Sequence, residues 1–337
     1  MNFVVYGRCE RMNKSIALIC PYFGAINKSI HALWLQGCAA NPDITFLLLT
    51  DDKEALEMPM PDNAKGIFMS WGDCVALIKS KFDFDVALNN PYKLCDYRPA
   101  FGYIFADYIT GFDFWGHTDS GDTLYGDLRK FLTDGLLNEY DKIHIVGHMT
   151  LYRNTDEANM RFAIPAQSGL TIQDILTVDE TVCFDDMYQK ASINRLYQEN
   201  GFSLLERVAN LVADIYPSKY AFQIVEDNGE KIPRVFEWDY GKLFDVTVHN
   251  GELNRREIGY VHFQKRKMVS EVPDGTDHFY MIPNRFVPAT EPLTCEIVEA
   301  WSRDKLYLDP LKGRAKRILN YAKHPEVFMR KVREKMN

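Results

Sequence analysis

Apolar residues along the first part of this chain come in short continuous runs, each followed by a segment with helical spacing. SIALICPYFG at 15–24 ends in Pro and Gly and reads as a buried strand running into a loop. SIHALWLQGCAAN follows with helical spacing, and ITFLLLTDD at 44–52 is a second buried strand with two acids at its C-terminal tip. GIFMSW at 66–71 reads as a third strand and WGDCVALIKSKF as its helix. Strand, helix and strand at this spacing predict right-handed crossovers and a parallel sheet covered on both faces. Ligands of such sheets bind beyond the carboxyl ends of the strands, so Tyr22, Phe23, Asp51 and Asp52 are expected to share one edge.

The stretch GFDFWGHTDSGDTLYGD at 111–127 runs from strand-favouring Phe112, Phe114 and Trp115 into a segment too polar and Gly-containing to continue a strand. The chain is expected to open after Gly116. Asp119 and Asp122, on a short loop at a strand end, can point to one side and offer hard oxygen ligands to a divalent cation such as Mg or Mn, which could hold a diphosphate. Asp, Ser and Gly are also the residues of an ordinary turn. Asp127 precedes LRKFLTDGLL, whose Leu128, Phe131, Leu132 and Leu136 have helical spacing, and it suits an N-cap rather than the site.

Three further stretches carry polar groups of interest. In LNNPYKLCDYRPAFGYIFADYI at 88–109, Lys93, Asp96 and Arg98 precede a helix whose apolar face includes Phe101, Ile104, Phe105 and Tyr108. A helix N-terminus there would be a natural anion site, with helix packing and a salt bridge as the plainer account. KIHIVGHMTLYRN at 142–154 reads as one strand leading into His148 and Arg153. REIGYVHFQKRKM at 256–268 puts Tyr260, His262 and Gln264 on one face by the two-residue period and then delivers Lys265, Arg266 and Lys267. An imidazole beside three cations suits a phosphate; a structural histidine before a solvated basic turn is the other reading. Between about 155 and 255 the pattern blurs, apart from a hairpin in RVFEWDYGKLFDVTVHNGEL with its turn near Asn250–Gly251. Acceptor-side insertions are expected there.

With 337 residues and 46% hydrophobic content, the chain is read as one elaborated domain over 1–310 followed by a basic amphipathic helical tail at 311–337. In the tail Leu311, Ala315, Ile318 and Ala322 recur at helical spacing, as do Phe328, Val332 and Met336 after Pro325. Residues 312–337 hold nine Lys and Arg against two Glu, so a body at −15 carries a tail at +7. That acidic body argues against nucleic-acid binding, and the tail suits either docking on the body or peripheral contact with an anionic membrane. Seven cysteines without a CxxC pair fit free thiols in a reducing compartment, hence a cytoplasmic location. No run approaches the roughly 20 apolar residues that span a bilayer.

Taken in order, SIALICPYFG, PYKLCDYRPAFG, FWGHTDSGDTLYGDL, HIVGHMTLYRN and YVHFQKRKM resemble a bacterial family of glycosyltransferases of capsular and surface polysaccharide synthesis. That family is similar to GT-A type nucleotide-sugar transferases, which implies a GT-A-like, Rossmann-type, mostly parallel sheet with helices on both faces. The resemblance implies a nucleotide-sugar donor, a glycan or lipid-linked acceptor, and an Asp-x-Asp element holding Mn or Mg. Asp119 corresponds to the first acid; Asp122 departs from the pattern, because the acids are three apart instead of two. The same resemblance implies His262 as a metal ligand, Lys265 and Arg266 on the leaving phosphates, Tyr22 and Phe23 on the base or ribose, and Lys93, Asp96 and Arg98 in donor binding.

An inverting reaction would need a carboxylate base near the acceptor hydroxyl. Asp185 and Asp186 in FDDM are the candidates, and equally good helix caps. Two other functions compete: a metal-dependent phosphoesterase using Asp119, His148 and His262, and a non-catalytic protein that binds nucleotide or glycan.

Overall fold

The computed structural model describes residues 13–186, 192–228, 230–264, 266–305 and 307. Its first strand, β1 (Ile16–Tyr22), sends alternate side chains into two cores: Ala17 and Ile19 into one, Ile16, Leu18 and Cys20 into the other. Helix α1 (Lys28–Ala39), strand β2 (Ile44–Thr50), helix α2 (Lys53–Leu56), strand β3 (Ala64–Phe68) and helix α3 (Trp71–Ser80) follow in alternation. Ser70 and Asp73 form a capping box that starts α3 two residues after β3 ends. Strands β4 (Phe114–Thr118), β5 (Thr123–Tyr125), β6 (Lys142–Val146), β7 (Met149–Arg153) and β8 (Leu204–Leu205) come next.

Seven of these strands form one sheet in the order β3-β2-β1-β4-β7-β6-β8. Only β7 in it runs against the others, so the sheet is mostly parallel, and helices cover both faces as expected. The segment 142–154 departs from its expectation as a single strand. Gly147 and His148 make a tight turn between β6 and β7, and the resulting hairpin reverses β7. Gly116 in β4 admits that neighbour: a Cβ there would lie 2.5 Å from the Thr150 carbonyl oxygen.

The helix expected after Arg98, with Phe101, Ile104, Phe105 and Tyr108 on its apolar face, is broken at Phe105 into α and 3-10 turns. Segment 91–109 as a whole is a succession of short 3-10 and α turns with breaks at Tyr97 and Phe105, buried through Tyr97, Phe101 and Phe105. No helix starts at Asp127; its carboxylate accepts the Lys130 amide in a turn, and the helix begins at Asp134 behind a Thr133 cap. Asp51 and Asp52 are structural. Asp51 accepts the Gly24 amide and Asp52 both the Ile26 amide and the first amides of α2, so the tip of β2 pins the loop that follows β1.

Beyond β9 (Val212–Asp214) lie β10 (Arg234–Asp239), β11 (Lys242–His249), β12 (Glu252–Ile258), β13 (Tyr260–His262), β14 (Val269–Ser270), β15 (His278–Ile282) and β16 (Arg285–Pro288). Six of them make a second sheet, β12-β11-β10-β15-β16-β14, which begins inside the stretch where insertions are expected and runs past residue 255. The turn at Asn250–Gly251 joins β11 to β12 as read from sequence; both residues have positive φ, 53° and 79°, the geometry of a primed hairpin turn. A third sheet, β5-β13-β9, is small but decides the site. The tail at 311–337 and Lys265 lie outside the described residues. Among the described residues no helix is long and apolar enough to cross a membrane, and the six cysteines are free thiols.

Candidate active site

Strand pairing brings together residues far apart in sequence. In the small sheet β13 lies between β5 and β9, with His262 in register with Thr123 on one side and Asp214 on the other. The Phe263 amide donates to the Asp122 carbonyl oxygen, 2.8 Å, which locks the acidic loop to the strand that carries the histidine. Asp119 follows β4 at the C-terminal edge of the large sheet, and its carbonyl oxygen accepts from Thr123 Oγ1 and from the Tyr125 hydroxyl. The Ser120–Gly121 step is thereby folded into a closed turn. Tyr22 covers this turn, with its ring 3.0 Å from where a Gly121 Cβ would stand.

Both carboxylates of DSGD face His262 despite their three-residue spacing. His262 Nε2 lies 3.7 Å from Asp122 Oδ2 and 4.0 Å from Asp119 Oδ2, and the three groups are close enough to share one metal ion. The other ring nitrogen, Nδ1, is 2.8 Å from Asp214 Oδ1. That carboxylate accepts the Nδ1 proton and leaves the Nε2 lone pair aimed at Asp119 and Asp122, the arrangement by which a carboxylate orients a metal-binding imidazole. A cation at about 2.1 Å from each ligand can span these separations. Two hard carboxylates and one borderline imidazole suit Mn, and also Mg, so the residues fit the group that the sequence implied.

Without a cation, charge balance falls to protons and to Arg98. Burial disfavours the His262 imidazolium, yet Asp122 and Asp214 together hold its pKa up at about 10. Burial likewise raises Asp119, against the pull of Arg98. Arg98 Nη2 donates to Asp119 Oδ1, while Nη1 donates to the Gly147 carbonyl oxygen and, at 2.9 Å, to Asp185 Oδ2. One oxygen of Asp119 is therefore held by the guanidinium and the other faces His262. Burial pushes Asp185 up to about 6, with Arg98 opposing it.

These groups line a cavity of about 1180 Å³, whose wall includes Tyr22, Phe23, Asp186, Arg207, Tyr216 and Glu226. The structure thus gathers Tyr22, Phe23, Arg98, Asp119, Asp122, Asp186 and His262 around one space. Lys93 and Asp96 do not join them. Both are fully buried and paired at 2.7 Å; Lys93 also donates to the Ile175 and Glu180 carbonyls, and Asp96 accepts the Val182 and Phe184 amides. They tie the 91–96 turn to 175–184, which replaces the donor-binding role expected of them. Arg266 touches the cavity but its Nη1 and Nη2 donate to the carbonyls of Tyr216, Lys219 and Tyr220 and to Asn284, so the end of its fork holds a loop, with Nε left unpartnered among the described residues. Asp185 is buried against Arg98.

Sequence reasoning missed Asp214. Its only signal was the short apolar run LVADIY ending a blurred region, with an acid at the position that β13 later brings beside His262. Tyr260, read correctly onto the His262 face, bonds His148 Nδ1 through its hydroxyl at 2.9 Å.

A protein-family model described as "Family of unknown function (DUF6625)" matches residues 18–290. No curated protein sequence matches the chain. Among solved structures, mouse xyloside xylosyltransferase 1 in its apo form is similar at 10% identity and a TM-score of 0.36, over 60% of this chain and 88% of that one. The apo form of the glycosyltransferase GlyE of Streptococcus pneumoniae TIGR4 is similar at 15% identity and a TM-score of 0.31, over 57% of this chain and 45% of that one. Scores this low leave the activity to be argued from side chains.

Proposed function

The chain belongs to the DUF6625 family, whose description assigns no chemistry, and from the site itself we propose a divalent-cation-dependent glycosyltransferase that moves a sugar from a nucleotide-sugar donor to a glycan or lipid-linked acceptor. The observation that carries this reading is the convergence of Asp119, Asp122 and an Asp214-oriented His262 on one large cavity at the C-terminal edge of a mostly parallel sheet. Ligands of open parallel sheets bind at that edge. A role in surface polysaccharide synthesis comes from the sequence resemblance, and the membrane contact proposed for the tail from its basic, amphipathic pattern.

Asp119, Asp122 and His262 would hold Mn or Mg, which supplies positive charge where the departing diphosphate gains negative charge. The sugar–phosphate C–O bond breaks, the acceptor oxygen bonds the same anomeric carbon, and the acceptor's proton leaves to a base. Tyr22 and Phe23, on the loop pinned by Asp51 and Asp52, are at the rim where a nucleoside would lie. Arg98 fixes Asp119 through one oxygen and adds a cationic group to the cavity wall. Asp186, which lines the cavity, is the proposed base.

A phosphoesterase would need a second cation, and the other set of groups among the described residues close enough to hold one, His148, Asp214 and His262, shares His262 with the first set. Isothermal titration of UDP, GDP and their glucose and mannose conjugates, with and without Mn, tests the proposal. Cation-dependent binding of a nucleotide sugar, followed by cleavage only when an acceptor or water takes the sugar, supports it. Release of inorganic phosphate from simple phosphate esters, with no nucleotide-sugar binding, would replace it by the hydrolase.

A further inference from the structure

Ser120 Oγ, Arg266 Nε and His148 Nε2, all of residues in the cavity wall, are buried without a hydrogen-bond partner among the described residues, and the last faces a carboxylate. His148 sits in the tight turn between β6 and β7, 8% exposed, with its ring stacked on that of His262 at 4.0 Å between centroids. Its Nδ1 lies 2.9 Å from the Tyr260 hydroxyl, and its Nε2 is buried with no hydrogen-bond partner. Among the described residues, His148 Nδ1 is the hydrogen-bond partner of the buried Tyr260 hydroxyl, and we assign the hydroxyl as donor because the reverse would leave its proton buried without an acceptor. The tautomer follows: His148 carries its proton on Nε2. That proton points toward Asp214 Oδ2, which is 3.9 Å away and too far for a direct bond. Asp214 cannot close the gap, because Oδ1 is held by His262 and Gln264 and its amide by Glu226.

A buried donor and a carboxylate acceptor 3.9 Å apart on one cavity wall form a matched pair. An oxygen placed about 2.8 Å from each would see them at an angle of about 90°, close to what an sp³ hydroxyl offers when it accepts one hydrogen bond and donates another. A phosphate oxygen can accept from His148 but is repelled by Asp214. A cation there would need the opposite tautomer, with Nδ1 donating to the Tyr260 hydroxyl, and would share His262 with the set formed by Asp119 and Asp122. We propose that His148 Nε2 and Asp214 Oδ2 read one sugar hydroxyl, the imidazole donating to it and the carboxylate accepting from it. The inference rests on the glycosyltransferase reading and adds to it a specificity-determining pair. The hydroxyl belongs to the donor sugar or to the acceptor sugar, and the chemistry is the same for both.

The test uses the full chain with Mn and two substitutions that split the ring. His148→Asn keeps a polar atom near Nδ1 for Tyr260 but removes the donor at Nε2; His148→Gln restores a donor near Nε2. Titrations compare UDP with UDP-glucose and GDP with GDP-mannose for the donor, and methyl glucosides and galactosides added to the UDP-bound protein for the acceptor. The expected result is a loss of at least tenfold in His148→Asn for a sugar-bearing ligand of one arm, recovery in His148→Gln, and unchanged binding of UDP or GDP alone. The arm that loses affinity identifies which sugar is read. Wild-type affinities in every arm for His148→Asn would mean that the gap holds only a resident water, and would overturn the proposal. Equal weakening of UDP or GDP alone in both variants would overturn it too, by making His148 a support for His262. A wild type that binds Mn and nucleoside diphosphate but no sugar-bearing ligand more tightly than its bare counterpart would sink this inference and leave the cation site standing; one that binds no probe would remove the glycosyltransferase reading and this inference with it.

Discussion

Raising the pH from 6.5 to 8.5 should tighten divalent-cation binding about tenfold per pH unit while weakening the cation-free fold. In the cation-free protein, burial lowers the His262 pKa, but Asp122 and Asp214 more than compensate and hold it at about 10. Any cation that takes Nε2 must first displace that proton. At pH 7 the gap of about 3 pKa units makes proton competition cost about 4 kcal/mol, at about 1.4 kcal/mol per unit. The stability effect has the opposite sign. A folded-state pKa above the ordinary value of about 6.5 contributes stability that is complete below pH 6.5 and is lost as pH rises through about 10. The cation-free protein therefore loses up to about 1.4 kcal/mol of stability per pH unit in this window from His262 alone. Titration calorimetry with Mn in buffers of different ionisation enthalpy would report one proton released per cation, and thermal melts without cation would move down as pH rises. A cation affinity that stays flat from pH 6.5 to 8.5, with no proton released, would refute His262 as a ligand.

Asp119→Asn should weaken cation binding at least tenfold and abolish cation-dependent nucleotide binding without lowering the melting temperature by more than a few degrees; unchanged Mn affinity by calorimetry would remove Asp119 from the metal set. Asp214→Asn should cost 10- to 100-fold in cation affinity, about 1.4–2.8 kcal/mol, because the carboxylate orients His262 without touching the ion; a wild-type affinity would show that the imidazole needs no support. Lys93→Met breaks a pair in which both side chains are fully buried, so unfolding in urea should show a loss of about 3–5 kcal/mol. Nucleotide affinity of the folded fraction should stay at the wild-type level, and a selective loss of affinity would return Lys93 to the donor site. Truncation after Asp309 should reduce pelleting with anionic liposomes at low salt and leave behaviour with neutral liposomes unchanged; equal, negligible pelleting of both forms would assign the basic tail to the acidic body instead.

The strands of the large sheet were legible because their signal is local. β1 and β2 are continuous apolar runs, and their alternate residues fill two cores, so burial on both faces leaves an unmistakable pattern. β4 runs two residues past Gly116, where the chain is expected to open, because His117 and Thr118 are buried in the sheet, and Asp119 follows its end. What was illegible is what depends on contact. Phe101, Ile104, Phe105 and Tyr108 have helical spacing, but the chain leaves helical geometry at Phe105, whose ring is buried in the core, and ends in a 3-10 turn. Lys93 and Asp96 look like a surface anion site in sequence, yet their partners are carbonyls and amides at 175–184, which no local pattern reveals. Gly147–His148 reads as the middle of a strand until β7 is seen to reverse.

The same distinction explains the site. Asp119 and Asp122 announce themselves by spacing, but two carboxylates on a loop need a third ligand to define a cation position, and the acids sit well over a hundred residues before His262. What closes that distance is the register of three short strands: β13 pairs with β5 and β9 so that Thr123, His262 and Asp214 stand side by side. A one-residue slip of β13 would turn Tyr260 and His262 to the opposite face and detach both histidine contacts at once. The register is held by backbone bonds from Phe263 to Asp122 and from Gly126 to Gly259, and Gly259 can lie there only because it lacks a side chain: a Cβ would stand 2.7 Å from the Leu211 carbonyl oxygen. The chemistry of the site is therefore specified less by its acids than by the close-packed glycine that keeps β13 in line with β9.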